Sequence, residues 1–243
     1  MRRRYPAAGA GTRRGTTVSD VPARPRPRRL LARRARPELS PQQAVDAAGA
    51  LVAAGRRVSF EVADPVAVAV VAAGVVDAGL ADRCEVTLSP GALPGEPSGA
   101  PFALLAGLTV DLALAGPAAV VDPAARALPG ARVVVAAASP SAEDRCRALV
   151  GRRVRLVAGR GADAELAFVR CLNVLMAGDG EPAVATVDPR LIAITGERAA
   201  WNGRTPDSWE HVMPWGEPTE GQHRVLAAGY AVRVLVPVAG GRA

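Results

Sequence analysis

The side chains that could do chemistry in this sequence lie where short apolar segments end. The carboxyl ends of eight Val- and Ala-rich segments carry few ionisable residues, namely Glu61, Asp64, Asp111, Arg160 and Asp188. If the segments are parallel strands, their carboxyl ends meet on one side of the fold, where barrel enzymes place their active sites. Carboxylates and a guanidinium there could orient a charged substrate. Most other segment ends offer Ala or Val, so the supply of hydrogen-bonding groups is small.

The composition excludes several kinds of chemistry. The chain has no lysine, so all 30 basic residues are arginine, and neither a Schiff base nor a lysine general base can form. The two histidines, His211 and His223, lie twelve positions apart, and this spacing predicts no histidine-based metal site. Cys84, Cys146 and Cys171 show no CxxC spacing, which predicts buried thiols in a reducing cytoplasm.

Charge is concentrated at the amino terminus. Residues 1–37 hold twelve arginines and one acid, whereas the whole chain has a formal charge of +7, so residues 38–243 are mildly acidic. The segment is also rich in Pro and Gly, which predicts a disordered tail ahead of a single folded domain over 38–243. An arm for nucleic acid or an anionic membrane is one interpretation. Because basic runs without a motif are common, we favour a solubilising tail and expect no specific nucleic-acid partner and no membrane span.

From residue 40 onward, strand patterns alternate with helix patterns. We predict strands over 57–62, 84–88, 108–114, 131–136, 154–157, 183–187, 209–213 and 232–236, all apolar throughout. We predict helices over 42–54, 65–78, 101–106, 117–127, 141–150, 164–177, 189–200 and 219–228, with Ser40 and Ser139 as caps. Alternation of this kind indicates an α/β fold with a parallel sheet, and eight repeats favour a (β/α)8 TIM-like barrel over an open sheet.

The sequence ends five residues after Val238, so we expect the barrel to lack its last helix. The apolar surface that this helix would cover could be covered by the helix over 42–54, by a second copy of the chain, or by nothing. Self-association through this site is therefore one expectation.

Several segments resemble the proline dehydrogenase family, flavin enzymes that oxidise L-proline to pyrroline-5-carboxylate on a distorted (β/α)8 barrel. GRRVRLVAG resembles the flavin-strand motif RLVKG, and AAGYAVRVLVPVAG resembles the last-strand motif RVYVPYG. VRCLNVLMAGDGEPAVATVDPRLI resembles the sixth-strand region with its flanking helices. The resemblance covers roughly residues 40–238 and is strongest from Asp144 onward.

The resemblance implies FAD as cofactor and proline or a related amine as substrate. It places the active-site aspartate of the third strand on Asp111, and a leucine that packs on the substrate on Leu156. It assigns flavin contacts to Arg155, which would lie against the flavin N5, and to Val157, Gly159, Thr186 and Asp188. Other interpretations stay open: Arg155 could pair with an acid, and Asp188, which precedes a proline, could be a helix N-cap.

The sequence also departs from the family pattern. The last helix, whose arginine pair holds the proline carboxylate, has no counterpart. Positions that are polar or aromatic in the family fall here on Ser89, Ala113, Leu114, Ala136, Ala138, Ala158, Gly161, Val187, Val212, Trp215 and Val238. We therefore predict a barrel with impaired or no proline oxidation. The alternatives are an active FAD-dependent oxidoreductase with a reshaped amine site and an interaction protein that works through its arginine-rich arm.

Overall fold

A computed structural model describes residues 37–94, 99–216 and 219–240 of the chain. The predicted tail, apart from Pro37, lies outside the described residues, as does the arm proposed for it. In the described part, eight parallel strands form a closed barrel in sequence order, which confirms the predicted fold class. The strands are β1 (Arg57–Val62), β2 (Cys84–Leu88), β3 (Asp111–Leu114), β4 (Arg132–Ala136), β5 (Arg153–Val157), β6 (Glu181–Ala185), β7 (Glu210–Pro214) and β8 (Ala231–Pro237).

One helix precedes β1, and one lies between each pair of consecutive strands. The helices are α1 (Pro41–Ala53), α2 (Pro65–Asp77), α3 (Ala100–Ala106), α4 (Ala118–Ala127), α5 (Ala142–Ala148), α6 (Ala162–Ala177), α7 (Pro189–Trp201) and α8 (Thr219–Ala227). Two short 3-10 helices, Ala81–Arg83 and Pro90–Ala92, flank β2. None of the helices in the described ranges combines the length and apolarity needed to cross a membrane.

Local capping sets where several helices begin. Ser40 and Gln43 form a capping box at α1, in which each side chain accepts a hydrogen bond from the other residue's backbone N–H. The Asp64 and Asp188 carboxylates cap α2 and α7, each directly before a proline at the first helical position. The cap predicted at Ser139 is wrong, because its hydroxyl donates to the Ala136 carbonyl at 2.6 Å and the helix begins later.

The helix α1 lies against both β1 and β8, so it covers the surface that the first and last strands present to the outside. Leu39, just before α1, forms a bridge to the end of β8: its N–H donates to the Pro237 carbonyl at 3.1 Å, and its carbonyl accepts from Ala239 N at 2.8 Å. On its other side α1 packs on α2, where Val45 meets Gly74 so closely that an added Cβ would lie 3.2 Å away. The helix α1 thus covers part of this surface, and self-association through it stays a prediction.

Behind β7, the rings of Trp209, His211 and Tyr230 pack together between the barrel and its helices. The centroids of Trp209 and His211 are 4.7 Å apart, and those of His211 and Tyr230 are 5.9 Å apart. His211 is 1 % exposed, and its Nδ1 has no hydrogen-bond partner among the described residues. Burial lowers the pKa of His211 to about 4, so the imidazole is neutral in the folded protein at neutral pH.

We expect Ala48→Asp to destabilise the fold by about 3 kcal/mol or more, because it places an unpaired charge under α1 at a fully buried position. The matched control is Ala50→Asp, the same substitution at an exposed position of the same helix, with an expected cost of at most about 1 kcal/mol. Urea unfolding followed by circular dichroism measures both. Equal costs would contradict the packing of α1 described above.

We also expect stability to fall as the pH drops from about 6.5 to about 4, the interval over which the unfolded chain binds a proton at His211 that the folded protein excludes. The effect amounts to about 3 kcal/mol. His211→Leu should flatten this part of the pH profile, whereas His223→Leu, at the exposed second histidine, should leave it unchanged. Urea midpoints measured at several pH values distinguish the two variants.

Candidate functional site

Buried charged side chains fill the inside of the barrel. We call them the lumen network: Glu85, Arg132, Arg155, Glu210 and Arg233, each at most 4 % exposed. They come from five different strands and bond across the barrel, so they point inward. Successive strand residues alternate between the two faces of a sheet, so the side chains at every second position from these also face the lumen.

Arg155 of β5 reaches across the barrel to β1 and β2. Its guanidinium pairs with the Glu85 carboxylate, and it donates to Thr87 Oγ1 at 3.1 Å and to Ser59 Oγ at 2.9 Å. The two hydroxyls also bond to each other, 2.7 Å apart, and Ser59 Oγ donates to Glu85 at 3.1 Å. Both terminal nitrogens of Arg155 are therefore engaged. Only its Nε, also buried, has no hydrogen-bond partner among the described residues.

Arg132 connects the two glutamates, and Arg233 joins the network through Glu210. Arg132 Nε donates to Glu85 at 2.8 Å, and Arg132 Nη2 lies 3.1 Å from Glu210 Oε1. Arg233 Nε donates to the same Glu210 oxygen at 2.7 Å, and its Nη1 donates to the Val58 carbonyl at 2.9 Å. One continuous network thus joins strands β2, β4, β5, β7 and β8.

Three arginines and two glutamates leave the lumen network with one excess positive charge. Burial alone would raise the pKa of Glu85, but the guanidiniums of Arg155, Arg132 and Arg233 outweigh burial and hold that pKa well below its usual range. For Arg155 the balance is reversed: burial lowers its pKa, and the repulsion of Arg132 and Arg233 adds to burial against the attraction of Glu85. Charged Arg155 is thus stabilised mainly by one carboxylate.

Above the lumen network, at the carboxyl ends of the strands, the lumen opens to solvent. We call this opening the mouth and define it by the partly exposed, inward-facing residues Glu61, Ser89, Ala115, Val134, Ala136, Val157, Ala185, Pro214, Leu235 and Pro237. Within this set, Glu61 supplies the one charge and Ser89 the one hydroxyl, and the other side chains are apolar. The mouth is therefore a largely apolar surface above a buried ionic floor.

The structure separates the residues that the resemblance assigned to β5. Arg155 and Val157 face the lumen, but Leu156, between them, points to the opposite face and is fully buried in the apolar core under the helices. The structure thus does not bring Leu156 to the lumen, where a substrate would lie. The physical reason is the two-residue period of the strand, which cannot place neighbours on the same face.

Asp111 lies at the end of the barrel opposite the mouth. The predicted strand 108–114 in fact begins at Asp111, because pairing with β2 starts at the Glu85–Asp111 register. The expectation of Asp111 at a carboxyl end of a strand is therefore wrong. Its carboxylate lies 2.5 Å from Arg153 Nη2, and Arg153 also lies 3.4 Å from Glu181, so these residues form an ion-pair cluster below the lumen network.

The three remaining assigned residues follow β5 and β6. Gly159, just after β5, packs against Ala138 after β4 and Ala164 of α6. An added Cβ would come within 2.8 Å of both side chains, so this close packing requires glycine. Thr186 Oγ1 accepts from Asp188 N at 3.1 Å, and the Asp188 carboxylate accepts from Arg190 N at 2.8 Å. Asp188 is therefore the N-cap of α7, and its role toward a flavin, like that of Thr186, stays a prediction.

Sequence reasoning missed most of the lumen network. The strands were expected to be apolar throughout, and that expectation is wrong. A signal was present: several strands carry charged or hydroxyl residues at alternate positions, as in Glu85 and Thr87 of β2 or Arg153 and Arg155 of β5. Alternation of this kind in parallel strands marks a face that does not contact the helices.

No protein-family model matches the chain, and no curated protein matches it either. Its fold is similar to solved structures of proline utilization A. The structure of proline utilization A from Bdellovibrio bacteriovorus inactivated by N-propargylglycine has 13% sequence identity and a TM-score of 0.66, over 84% of this chain and 30% of that one. A bifunctional proline utilization A protein has 17% identity and a TM-score of 0.54, over 76% and 26% of the two chains. The chain has a proline dehydrogenase-like barrel fold and spans less than a third of the length of these proteins.

The described residues do not fit FAD, the cofactor that the resemblance implies. A flavin ring needs several donors along its polar edge, and the mouth residues that β4, β5 and β6 provide are Ala and Val. Three of the five Arg155 N–H groups are committed, because its terminal nitrogens donate to Glu85, Ser59 and Thr87, and its Nε has no partner among the described residues. At the β5 exit, α6 begins with Asp163 and Glu165 in its first turn, and these acids repel a phosphate.

We expect Glu85→Gln to destabilise the protein by about 3–5 kcal/mol, because it leaves three buried arginines facing one carboxylate. The matched control is Glu181→Gln, whose carboxylate pairs with Arg153 but is 66% exposed; its expected cost is at most about 1 kcal/mol. Urea unfolding at neutral pH compares the two. A cost below about 1 kcal/mol for Glu85→Gln would show that the lumen network does not hold the barrel together.

Proposed function

We propose that this protein is a proline dehydrogenase-like barrel that does not oxidise proline and acts as a non-catalytic binding or scaffold protein. The observation that carries the proposal is the commitment of Arg155. The arginine that the resemblance sets against the flavin is bound within the lumen network and is 2 % exposed.

The energetic cost of freeing Arg155 supports this proposal. A ligand that needs its terminal nitrogens must first break the pair with Glu85, and breaking a buried pair costs about 3–5 kcal/mol. That cost corresponds to a loss of roughly two to four decades in affinity. Because the mouth offers few other donors, little new bonding would offset the loss.

The charge at the mouth supports the same proposal for the substrate. Proline carries a carboxylate, and a carboxylate is best held by paired guanidinium donors. Among the mouth residues as defined above, the charged group is Glu61, which repels a carboxylate, and the exposed Arg160 beyond the end of β5 is a single guanidinium, not a pair. An uncharged or cationic apolar ligand suits this surface better.

Two observations favour a second candidate, an FAD-dependent oxidoreductase with a reshaped amine site. The unpartnered Arg155 Nε is a buried donor at the floor of the mouth. Glu61 is an exposed carboxylate at the rim, where it could pair with an ammonium group. An amine without a carboxylate would be the substrate class in this case.

The purified full chain tests the proposal. We expect no flavin absorbance in a fresh preparation, no quenching of FAD fluorescence on titration with the protein, and no proline-dependent reduction of an artificial electron acceptor. A proline dehydrogenase assayed in parallel serves as the positive control.

The possible contrary results separate the two candidates. Tightly held FAD together with turnover of proline would overturn the proposal. FAD together with turnover of apolar amines, but not of proline, would establish the second candidate, and Glu61→Gln should then raise KM for the amine more than it lowers kcat.

A further inference from the structure

The outer faces of three neighbouring helices form an apolar surface. Within the part of the chain that the structure describes, nine large apolar side chains are exposed, and five of them lie on α2, α3 and α4. These five are Val66, Val70, Val76, Leu104 and Val120. Exposed apolar side chains scattered singly are ordinary, whereas a concentration of them on one side marks an interaction site.

Two recesses join the three helices into one surface, which we call the α2–α4 face. A cavity of about 170 Å³ lies between α2 and α3, where Ala69 and Leu104 form part of its wall. A second cavity, of about 280 Å³, lies between α3 and α4 beside Phe102 and Val120. Pro94 borders both cavities. The α2–α4 face therefore consists of the five exposed side chains and the walls of these two cavities.

The helix segments of the α2–α4 face carry no charged or hydrogen-bonding side chain. Residues 65–76, 99–106 and 117–121 consist of Ala, Val, Leu, Pro, Phe and Gly. The helices on the rest of the ring differ, because each exposes at least one charged side chain. Examples from α1, α5, α6, α7 and α8 are Asp46, Arg147, Arg170, Glu197 and Arg224. A helix that is apolar on every side, as α2 is up to its last residue, is normally covered by other protein.

A second copy of the chain is the partner that this chemistry fits. A partner with charged groups would lose their hydration at the α2–α4 face without gaining a hydrogen bond there. The matching surface is another uncharged apolar face, and each copy of the chain supplies one. Two-fold symmetry sets the same patch of two copies against each other, and homodimer interfaces are more apolar than other interfaces.

The relief of α2 also suits a contact between copies. Val66, Ala69, Val70, Ala73 and Val76 recur every three to four residues and are all exposed, so they form one stripe along the helix. The alanines keep the stripe low between the valines. A second helix can therefore approach α2 to about 8 Å between axes, with its own valines seated over these alanines.

The size of the α2–α4 face is sufficient for a dimer of modest affinity. The helix α2 is about 20 Å long. Neighbouring helices pack about 10 Å apart, so the face measures roughly 20 by 25 Å, on the order of 500 Å². Two such faces together bury about 1,000 Å², which is the lower limit for a specific interface.

We propose that the α2–α4 face is the interface of a symmetric dimer of this chain, in which α2 of one copy packs antiparallel to α2 of the other. The antiparallel arrangement sets the carboxyl end of each helix beside the amino end of its partner, where the helix dipoles attract each other. The interface lies on the outside of the barrel, so it goes beyond the function proposed above and does not depend on whether the mouth binds a ligand.

Sedimentation velocity of the full chain tests the proposal. An interface of this size predicts a dissociation constant in the micromolar range, so the concentration is varied from about 1 to about 100 µM. We expect the fraction of dimer to rise with concentration. It should not fall when the salt concentration is raised to about 1 M, because salt screens contacts between charges and not contacts between apolar groups.

Val70→Glu places a charge in the middle of the stripe and should raise the dissociation constant at least about tenfold, because the dimer would bury an unpaired carboxylate. The matched control is Leu166→Glu on α6, where the replaced side chain is 53% exposed, against 51% for Val70. This control should leave the dimer unchanged. Circular dichroism and urea unfolding show whether both variants are folded.

A charge pair across the two-fold axis tests the placement of α2 against α2. Val70→Arg alone should be monomeric, like Val70→Glu, whereas an equimolar mixture of the two variants should form a heterodimer because the opposite charges then face each other. A full chain that stays monomeric at about 100 µM, a dimer that dissociates at high salt, a dimer that persists in Val70→Glu, or a mixture that stays monomeric would each overturn the proposal.

Discussion

The pair between Arg155 and Glu85 is the interaction on which the inside of this barrel depends. Each charge would be strongly unfavourable alone, because burial without a partner costs several kcal/mol per ion. The pair is stable because Ser59, Thr87 and Arg132 of the lumen network bond to it and satisfy most of its remaining donors and acceptors. Since these groups come from most of the strands, the same bonds that satisfy the charges also fix how the strands face the lumen.

In this arrangement the Arg155 guanidinium stabilises the barrel and does not offer its terminal nitrogens to a ligand. A catalytic arginine must offer donors to a ligand, whereas Arg155 directs its terminal nitrogens at its own barrel. The mouth above Arg155 is largely apolar, so it adds few donors or acceptors that need a partner. An empty pocket lined with polar groups would leave such groups unsatisfied. The buried ionic floor and the apolar rim both leave few hydrogen-bonding groups without a partner. In this respect the lumen differs from the flavin site that the resemblance implies.

Most of the fold could be predicted from the sequence, because its signals are local. Ser40 before a proline and Asp188 before another mark helix starts, and the apolar runs mark strands to within a few residues. The candidate site could be predicted only in part. The outward position of Leu156 follows from the two-residue strand period, since Arg153 and Arg155 mark the other face of β5. The position of Asp111 at the start of β3 depends on pairing with β2 and is not visible in the local pattern. The charged residues of the lumen network can be identified in the sequence, but the contacts between them form only when the barrel closes.

The position of α1 has a consequence for how the protein is made. The helix is synthesised before all eight strands, yet one of the strands it covers, β8, is the last of the eight in chain order. Until β8 is available, the Leu39 bridge cannot form, and the part of α1 that packs on β8 stays uncovered. The contacts of Leu39 and α1 with β8 therefore join the first and last elements of the described domain, and contacts of such long sequence separation are slow to form.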